Sequence, residues 1–233
     1  MMSIIFTFIR SALFTPFFYV GSAIIILSGV PAAYISTRGL RRIARTWSQY
    51  HYLCARIFLG IKVKIEGEFR NETLLYVFKH ESMFETIDTL RILKDPIVIA
   101  KKELLNIPVW GWMATRHGLL GVDREAGAKS MREIMRQANR AVDEGRPIVI
   151  FPEGTRMARG ERPLLQSGFA GIYRIFNITA VPVALNSGLL APRNSFLKKS
   201  GTITYLIGDE LAPGIPKEEI RALVHEAINA LND

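Results

Sequence analysis

The stretch PIVIFPEGTR, Pro147 to Arg156, runs an apolar segment straight into a proline and then into a polar turn. The apolar run reads as a strand. Pro152 cannot donate to a ladder and ends it. Glu153, Gly154, Thr155 and Arg156 then follow as a turn at a strand end, which is where ligands gather in open α/β sheets. Working outward, six more short apolar runs read as strands: KVKIEG from Lys62, LLYVF from Leu74, PIVIA from Pro96, GLLGV from Gly118, AVPVAL from Ala180 and TITYLI from Thr202. Helical patterns lie between them. One carries Met131, Ile134, Met135, Ala138, Ala141 and Val142 on a single face and stops at Gly145 and Pro147. The last opens with Pro216, Glu218 and Glu219 and turns Ile220, Leu223, Val224, Ala227 and Leu231 inward. Strands spaced by helices predict an α/β sandwich around a mixed, mostly parallel sheet.

With 233 residues, 49% of them hydrophobic, the chain can bury one substantial core and carry an appendage. From Ser11 to Thr37 there is no Asp, Glu, Lys, Arg or His. That length suffices for one membrane span, since about 20 apolar residues cross a bilayer core. Pro16, Gly21, Gly29 and Pro31 interrupt it, so two short helices dipping into one leaflet are the other reading. A cleaved signal peptide, with Val30-Pro31-Ala32 as its site, fits less well. The apolar run is longer than a signal's core, and the basic residues come mainly after it. Arg38, Arg41, Arg42 and Arg45 follow the segment while Arg10 alone precedes it, which places the main domain on the cytoplasmic side of the cell (inner) membrane. The single cysteine, Cys54, permits no internal disulfide.

The organisation expected is a membrane-embedded helical segment over 1–37, a basic amphipathic connecting helix over 38–60 and the main domain over 61–233. In the connecting helix Leu40, Ile43, Ala44, Trp47, Cys54, Ile57 and Phe58 recur at three- and four-residue steps. With arginines clustered at its start, it reads as a helix lying against a membrane. A net charge of +9 would suit nucleic acid, an anionic membrane or a phosphorylated substrate. No zinc-finger spacing or aromatic-rich RNA-binding signature is present, so nucleic acid is not an expected partner, and neither is a metal.

Four polar clusters sit at strand ends: KHESMFE after LLYVF, VDRE after GLLG, PEGTR after PIVIF and NSG after VPVAL. In the first, Ser82 and Glu85 form an S-x-x-E capping box if a helix begins near Ser82. A glutamate in that first turn also points back toward His80. It can hold one imidazole nitrogen and fix its tautomer, leaving the other nitrogen free to take a hydroxyl proton. Glu81 is expected in solvent. In the PEGTR turn, Gly154 lets a ligand approach the backbone and Arg156 can grip a phosphate; the plainer alternative is a turn stiffened by a Glu153–Arg156 ion pair. Arg124 sits beside Asp123, either in a surface ion pair or at an anion site. Lys101 and Lys102, after PIVIA, read as solvated charges unless the basic strand ends converge on one phosphate.

Taken in order, these clusters resemble the glycerolipid acyltransferase superfamily, and most closely its 1-acylglycerol-3-phosphate (lysophosphatidate) acyltransferases. His80, Ser82 and Glu85 stand where the family has its H-x-x-x-x-D motif, with Glu85 in place of aspartate. Val122-Asp123-Arg124 matches the end of the second motif, Phe151 to Arg156 matches F-P-E-G-T-R in full, and Val181-Pro182-Val183 matches the V-P-V run. Gln166, before Gly168, stands where many members have lysine. The resemblance implies a glycerolipid acyltransferase-like sandwich acting on phospholipid membranes. His80 and Glu85 would be catalytic, and Lys101, Arg124, Glu153, Gly154, Thr155 and Arg156 would bind substrate. The acceptor would be a lysophospholipid, the donor acyl-CoA or acyl-ACP as co-substrate with no other cofactor, and the product phosphatidic acid. An imidazole (about 6.5) is too weak a base to ionise an alcohol beforehand, so proton removal must accompany attack on the thioester. A membrane-bound serine hydrolase using Ser82 and His80, another lysolipid such as lyso-ornithine lipid as acceptor, and a non-catalytic anionic-lipid binder are the alternatives.

Overall fold

The computed structural model describes residues 2–122, 135–136, 139–140 and 142–232. Among these, seven segments pair into one sheet: β1 (Ile61–Glu66), β2 (Leu75–Phe78), β3 (Ile97–Lys101), β4 (Leu120–Val122), β5 (Ile148–Ile150), β6 (Ala180–Leu185) and β7 (Gly201–Ile207). Their order is β1-β7-β6-β2-β5-β3-β4. Only β6 and β7 pair antiparallel; every other neighbour runs parallel. This is the mixed, mostly parallel sheet that the apolar runs predicted, and each run supplies one strand. The helix read from Met131 to Val142 lies largely outside the described residues.

Central parallel strands bury both faces, which is why they read as continuous apolar runs. In β2, Leu75 and Val77 join Phe169 and Tyr173 of α5 (Ser167–Phe176) and Ile220 and Val224 of α6 (Lys217–Ile228) on one face. Tyr76 and Phe78 alternate to the other face. There they meet α3 (Met83–Ile92) and the N-terminal pair α1 (Met2–Ile35) and α2 (Thr37–Cys54), through Phe84, Phe14, Phe18 and Cys54.

Of the two readings of the apolar segment, the structure has one continuous helix through Pro16 and Pro31. The buried face of α2, which includes Leu40, His51 and Cys54, packs into the protein, since a core selects the same 3.6-residue spacing as a bilayer, while Ile57 of the same apolar pattern is exposed. The arginines Arg38, Arg42 and Arg45 remain exposed.

α1 is held along its length. Arg10 Nε donates to Phe58 O (2.8 Å), Trp47 Nε1 donates to Ser22 Oγ (2.9 Å), Ala33 is fully buried, and Tyr34 packs on Trp112 of α4 (Trp110–His117) with centroids 4.6 Å apart. Gly21 permits the close approach of the pair, because a Cβ there would lie 2.0 Å from Tyr50 Oη. The opposite face of α1, with Ile5, Phe8, Phe17, Val20, Ile24 and Leu27, is exposed. Ile4–Ile35 is long and apolar enough to cross a membrane by length and composition.

Candidate active site

Parallel strands deliver their carboxyl ends to one edge of the sheet, so the residues following β2, β3, β5 and β6 are neighbours there. After β2 the chain gives Lys79, His80 and Glu81, then Ser82 caps α3. Glu85, in the first turn, is fully buried. Its Oε1 accepts from His80 Nδ1 (2.9 Å), Glu81 N–H (2.8 Å) and Ser82 N–H (2.6 Å). The capping box and the histidine contact therefore coexist: one carboxylate does both. Its Oε2 accepts from Ser187 Oγ at 2.7 Å.

Because Nδ1 keeps its proton and donates it in a hydrogen bond to the carboxylate, Nε2 carries the lone pair of the neutral ring. Nε2 has no hydrogen-bond partner among the described residues, and the side chain is 15% exposed. The ring lies against Phe151, centroids 4.3 Å apart at 31°. The main chain of His80 is laced to the β5 turn: its N–H donates to Glu153 Oε1 (3.3 Å) and its C=O accepts from Met157 N–H (2.7 Å). A ring fixed on one side by a carboxylate and on another by an aromatic face is suited to receive a proton at Nε2.

Glu153 is buried and faces Lys79, whose Nζ lies 3.4 Å from Oε1; it forms no ion pair with Arg156. Lys79 is fully enclosed and also donates to Glu161 O (3.0 Å) and Asn229 Oδ1 (2.8 Å). Burial raises the Glu153 carboxyl above its usual range, and the Lys79 ammonium opposes that shift. Gly154 turns with φ of 70°, a conformation that suits glycine, and Thr155 beside it is exposed. Arg156 lines a cavity beside the loop. Lys101 is exposed at the end of β3, on the same sheet edge. Asp123 and Arg124 lie outside the described residues.

Glu81 corrects an expectation. It is buried, not solvated: Oε2 accepts from Gly188 N–H (2.7 Å) and Oε1 meets Arg159 Nη1 at 3.4 Å. Burial pushes its carboxyl up, with Gly188 and Arg159 pulling it back. So the NSG cluster after β6 clamps both carboxylates flanking His80, Ser187 holding Glu85 and Gly188 holding Glu81. The sequence marked NSG as a polar strand end but offered no partner for it, since those contacts span 102 and 107 residues. Ser82 Oγ accepts from Phe84 N–H (3.2 Å) and forms no hydrogen bond to His80. Cys54 is buried in the core.

The sequence profile of a family described as Acyltransferase matches residues 60–186. A 1-acyl-sn-glycerol-3-phosphate acyltransferase of Pseudomonas aeruginosa is 25% identical over 170 residues, covering 72% of this chain and 66% of that protein. Its counterpart in Helicobacter pylori is 33% identical over 134 residues, covering 57% and 56%. A lyso-ornithine lipid O-acyltransferase of P. aeruginosa is 32% identical over 115 residues, covering 49% and 42%. The alignments span about half to two thirds of the length of the curated relatives. In fold, the chain is similar to the 1-acyl-sn-glycerophosphate acyltransferase PlsC from Thermotoga maritima, with TM-score 0.76 over 94% of this chain and 93% of that one at 20% identity.

Proposed function

The chain belongs to the acyltransferase family, and on that premise we propose that it moves a fatty acyl group from an acyl thioester to the free hydroxyl of 1-acyl-glycerol-3-phosphate, forming phosphatidic acid in phospholipid biosynthesis. The observation that carries the reading is the His80–Glu85 contact of 2.9 Å, with Nε2 left unpartnered at the sheet edge. His80 Nε2 takes the hydroxyl proton as the acceptor oxygen bonds to the thioester carbonyl carbon. The tetrahedral intermediate then collapses, the C–S bond breaks, and the imidazolium returns the proton to the leaving thiolate. Such general-base help supplies roughly 10²–10⁴-fold, and fixed orientation supplies more. Acyl-CoA or acyl-ACP enters as co-substrate, with no further cofactor needed for these steps.

Transfer is direct. The cap role of Ser82 and the burial of Cys54 supply no activated nucleophile beside His80. Arg156 and Lys101, with Arg124, would hold the acceptor's phosphate, while Glu153, Gly154 and Thr155 shape the turn beside it. The protein would sit on the cell (inner) membrane with its catalytic domain on the cytoplasmic face. Contacts near both ends of α1 favour a helix seated along the domain with its apolar face in one leaflet over a span leading away from it.

The test is an acceptor panel of lysophosphatidate, lyso-ornithine lipid and other lysolipids with one acyl-CoA, in detergent or lipid. Wild type should prefer lysophosphatidate, and His80→Ala should lose transfer while staying membrane-bound. Full activity in that variant, or label retained on Ser82 when the thioester is supplied alone, rejects the mechanism.

A further inference from the structure

Beside the catalytic loop lies a cavity of about 350 Å³. Its walls include Phe14 and Tyr19 of α1, His51 of α2, Phe84 of α3, Arg156, and Lys198 from the loop between β6 and β7. Ser82, two residues from His80, is on the same wall, so the space abuts the site of chemistry.

Two features of this space stand out. Arg156 and Lys198 line it together, and neither has a carboxylate partner among the described residues; Lys198 Nζ donates to Ser195 O alone (3.2 Å). Burial, and after it the Arg156 guanidinium, draw the Lys198 ammonium below its ordinary value. Two like charges on one cavity destabilise each other until an anion enters between them. Lys198 is not loose: its main-chain N–H donates to Ser11 Oγ (2.9 Å), which pins its loop to α1, and Arg193 donates to Arg156 O. The second feature is His51. It is 3% exposed among Phe14, Phe18 and Phe84, and its Nδ1 is enclosed without a hydrogen-bond partner. His51 therefore adds a buried, neutral ring to the aromatic wall of the cavity.

Two cations and an aromatic wall around one space match a single-chain lipid that ends in a phosphate. We propose that Lys198, together with Arg156, seats the phosphomonoester of the acceptor lipid in this cavity, with its acyl chain along the aromatic wall, and that Lys198 thereby determines the preference for phosphate-bearing lysolipids. The proposal rests on the acyl-transfer reading for the identity of the lipid, but the anion seat itself does not. Lys198 belongs to none of the four strand-end clusters and follows the V-P-V run by some fifteen residues.

The test uses the full chain in non-ionic detergent with Lys198→Met, which keeps the stem and removes the charge, and Lys198→Arg, which restores it. Lys198 is only partly buried and its loop is pinned through its main-chain N–H, so Lys198→Arg should melt like wild type and Lys198→Met no lower. The probe is dodecyl phosphate, which has the chain and the phosphate but no hydroxyl to acylate; 1-lauroylglycerol, with no phosphate, is the control. Lys198→Met should weaken dodecyl phosphate binding about tenfold or more, leave 1-lauroylglycerol unchanged, and raise KM for 1-oleoyl-glycerol-3-phosphate by a similar factor without changing KM for oleoyl-CoA. Lys198→Arg should recover most of the loss. Equal binding of dodecyl phosphate by wild type and Lys198→Met overturns the proposal, as does a KM rise confined to oleoyl-CoA, which assigns Lys198 to the donor's phosphates. A wild type that binds dodecyl phosphate through Lys198 yet acylates no lysolipid upholds the anion seat and removes the acyl-transfer reading.

Discussion

Ser187 donates to Glu85 Oε2 at 2.7 Å, so the carboxylate that holds His80 is itself held by a residue that follows β6. With both of its oxygens occupied, Glu85 has little freedom to rotate, and the imidazole inherits that fixity. Ser187→Ala leaves a buried oxygen short of a donor, worth about 1–3 kcal/mol. The expected result is a fall in kcat of roughly tenfold with little change in either KM, and partial recovery in Ser187→Thr. A shift in KM alone would place Ser187 at a substrate instead.

Lys79 predicts a stability effect, not a binding one. Its ammonium is enclosed with Glu153, Asn229 and the Glu161 carbonyl, tying the β2 and β5 loops to the chain just after α6. Lys79→Met strands the Glu153 carboxylate, and removing one partner of a buried pair costs about 3–5 kcal/mol. Adding Glu153→Gln should return much of that. Thermal unfolding of the two variants in detergent checks it, and strictly additive losses would refute the pairing.

Stability should also fall in acid through two buried histidines. His51 and His117 are both drawn down to about 3, chiefly by burial, with Arg91 and Lys198 adding at His51 and Arg146 and Arg41 at His117. Above about 6.5 both states are neutral at these rings; below it the unfolded chain takes protons that the folded chain refuses. Each ring therefore lowers stability by up to about 1.4 kcal/mol per pH unit until the folded value is reached. The buried carboxyls of Glu81 and Glu153, shifted upward, act in the opposite direction. The difference between wild type and His51→Phe isolates one ring: between pH 6 and 4 the variant's slope should be shallower by one proton. Parallel slopes would show that His51 is hydrated.

Gly21 tests the seating of α1 on α2. An added Cβ meets Tyr50 Oη at 2.0 Å and Cζ at 2.3 Å, and the tyrosine hydroxyl is tied to Phe17 O. Gly21→Ala should destabilise by about 1–3 kcal/mol. Combining it with Tyr50→Ala, which opens the space, should cost less than the sum of the two. Additive losses would mean that the helices do not touch at Gly21.

Much of this protein was legible in the one-dimensional pattern. The runs of β2, β5 and β6 are continuously apolar because these strands are buried on both faces. His80 and Glu85 were legible as a pair because five residues across a helix cap bring them together locally. The amphipathic period of α2 could not say that Leu40 and Cys54 pack into the protein, which only the tertiary structure decided. Nor could local sequence supply Ser187 to Glu85, Gly188 to Glu81 or Lys79 to Glu153, or bring Lys198 beside Arg156. Those contacts join loops from different strands, and chain order says nothing of them until the sheet has placed β6 next to β2 and β2 next to β5.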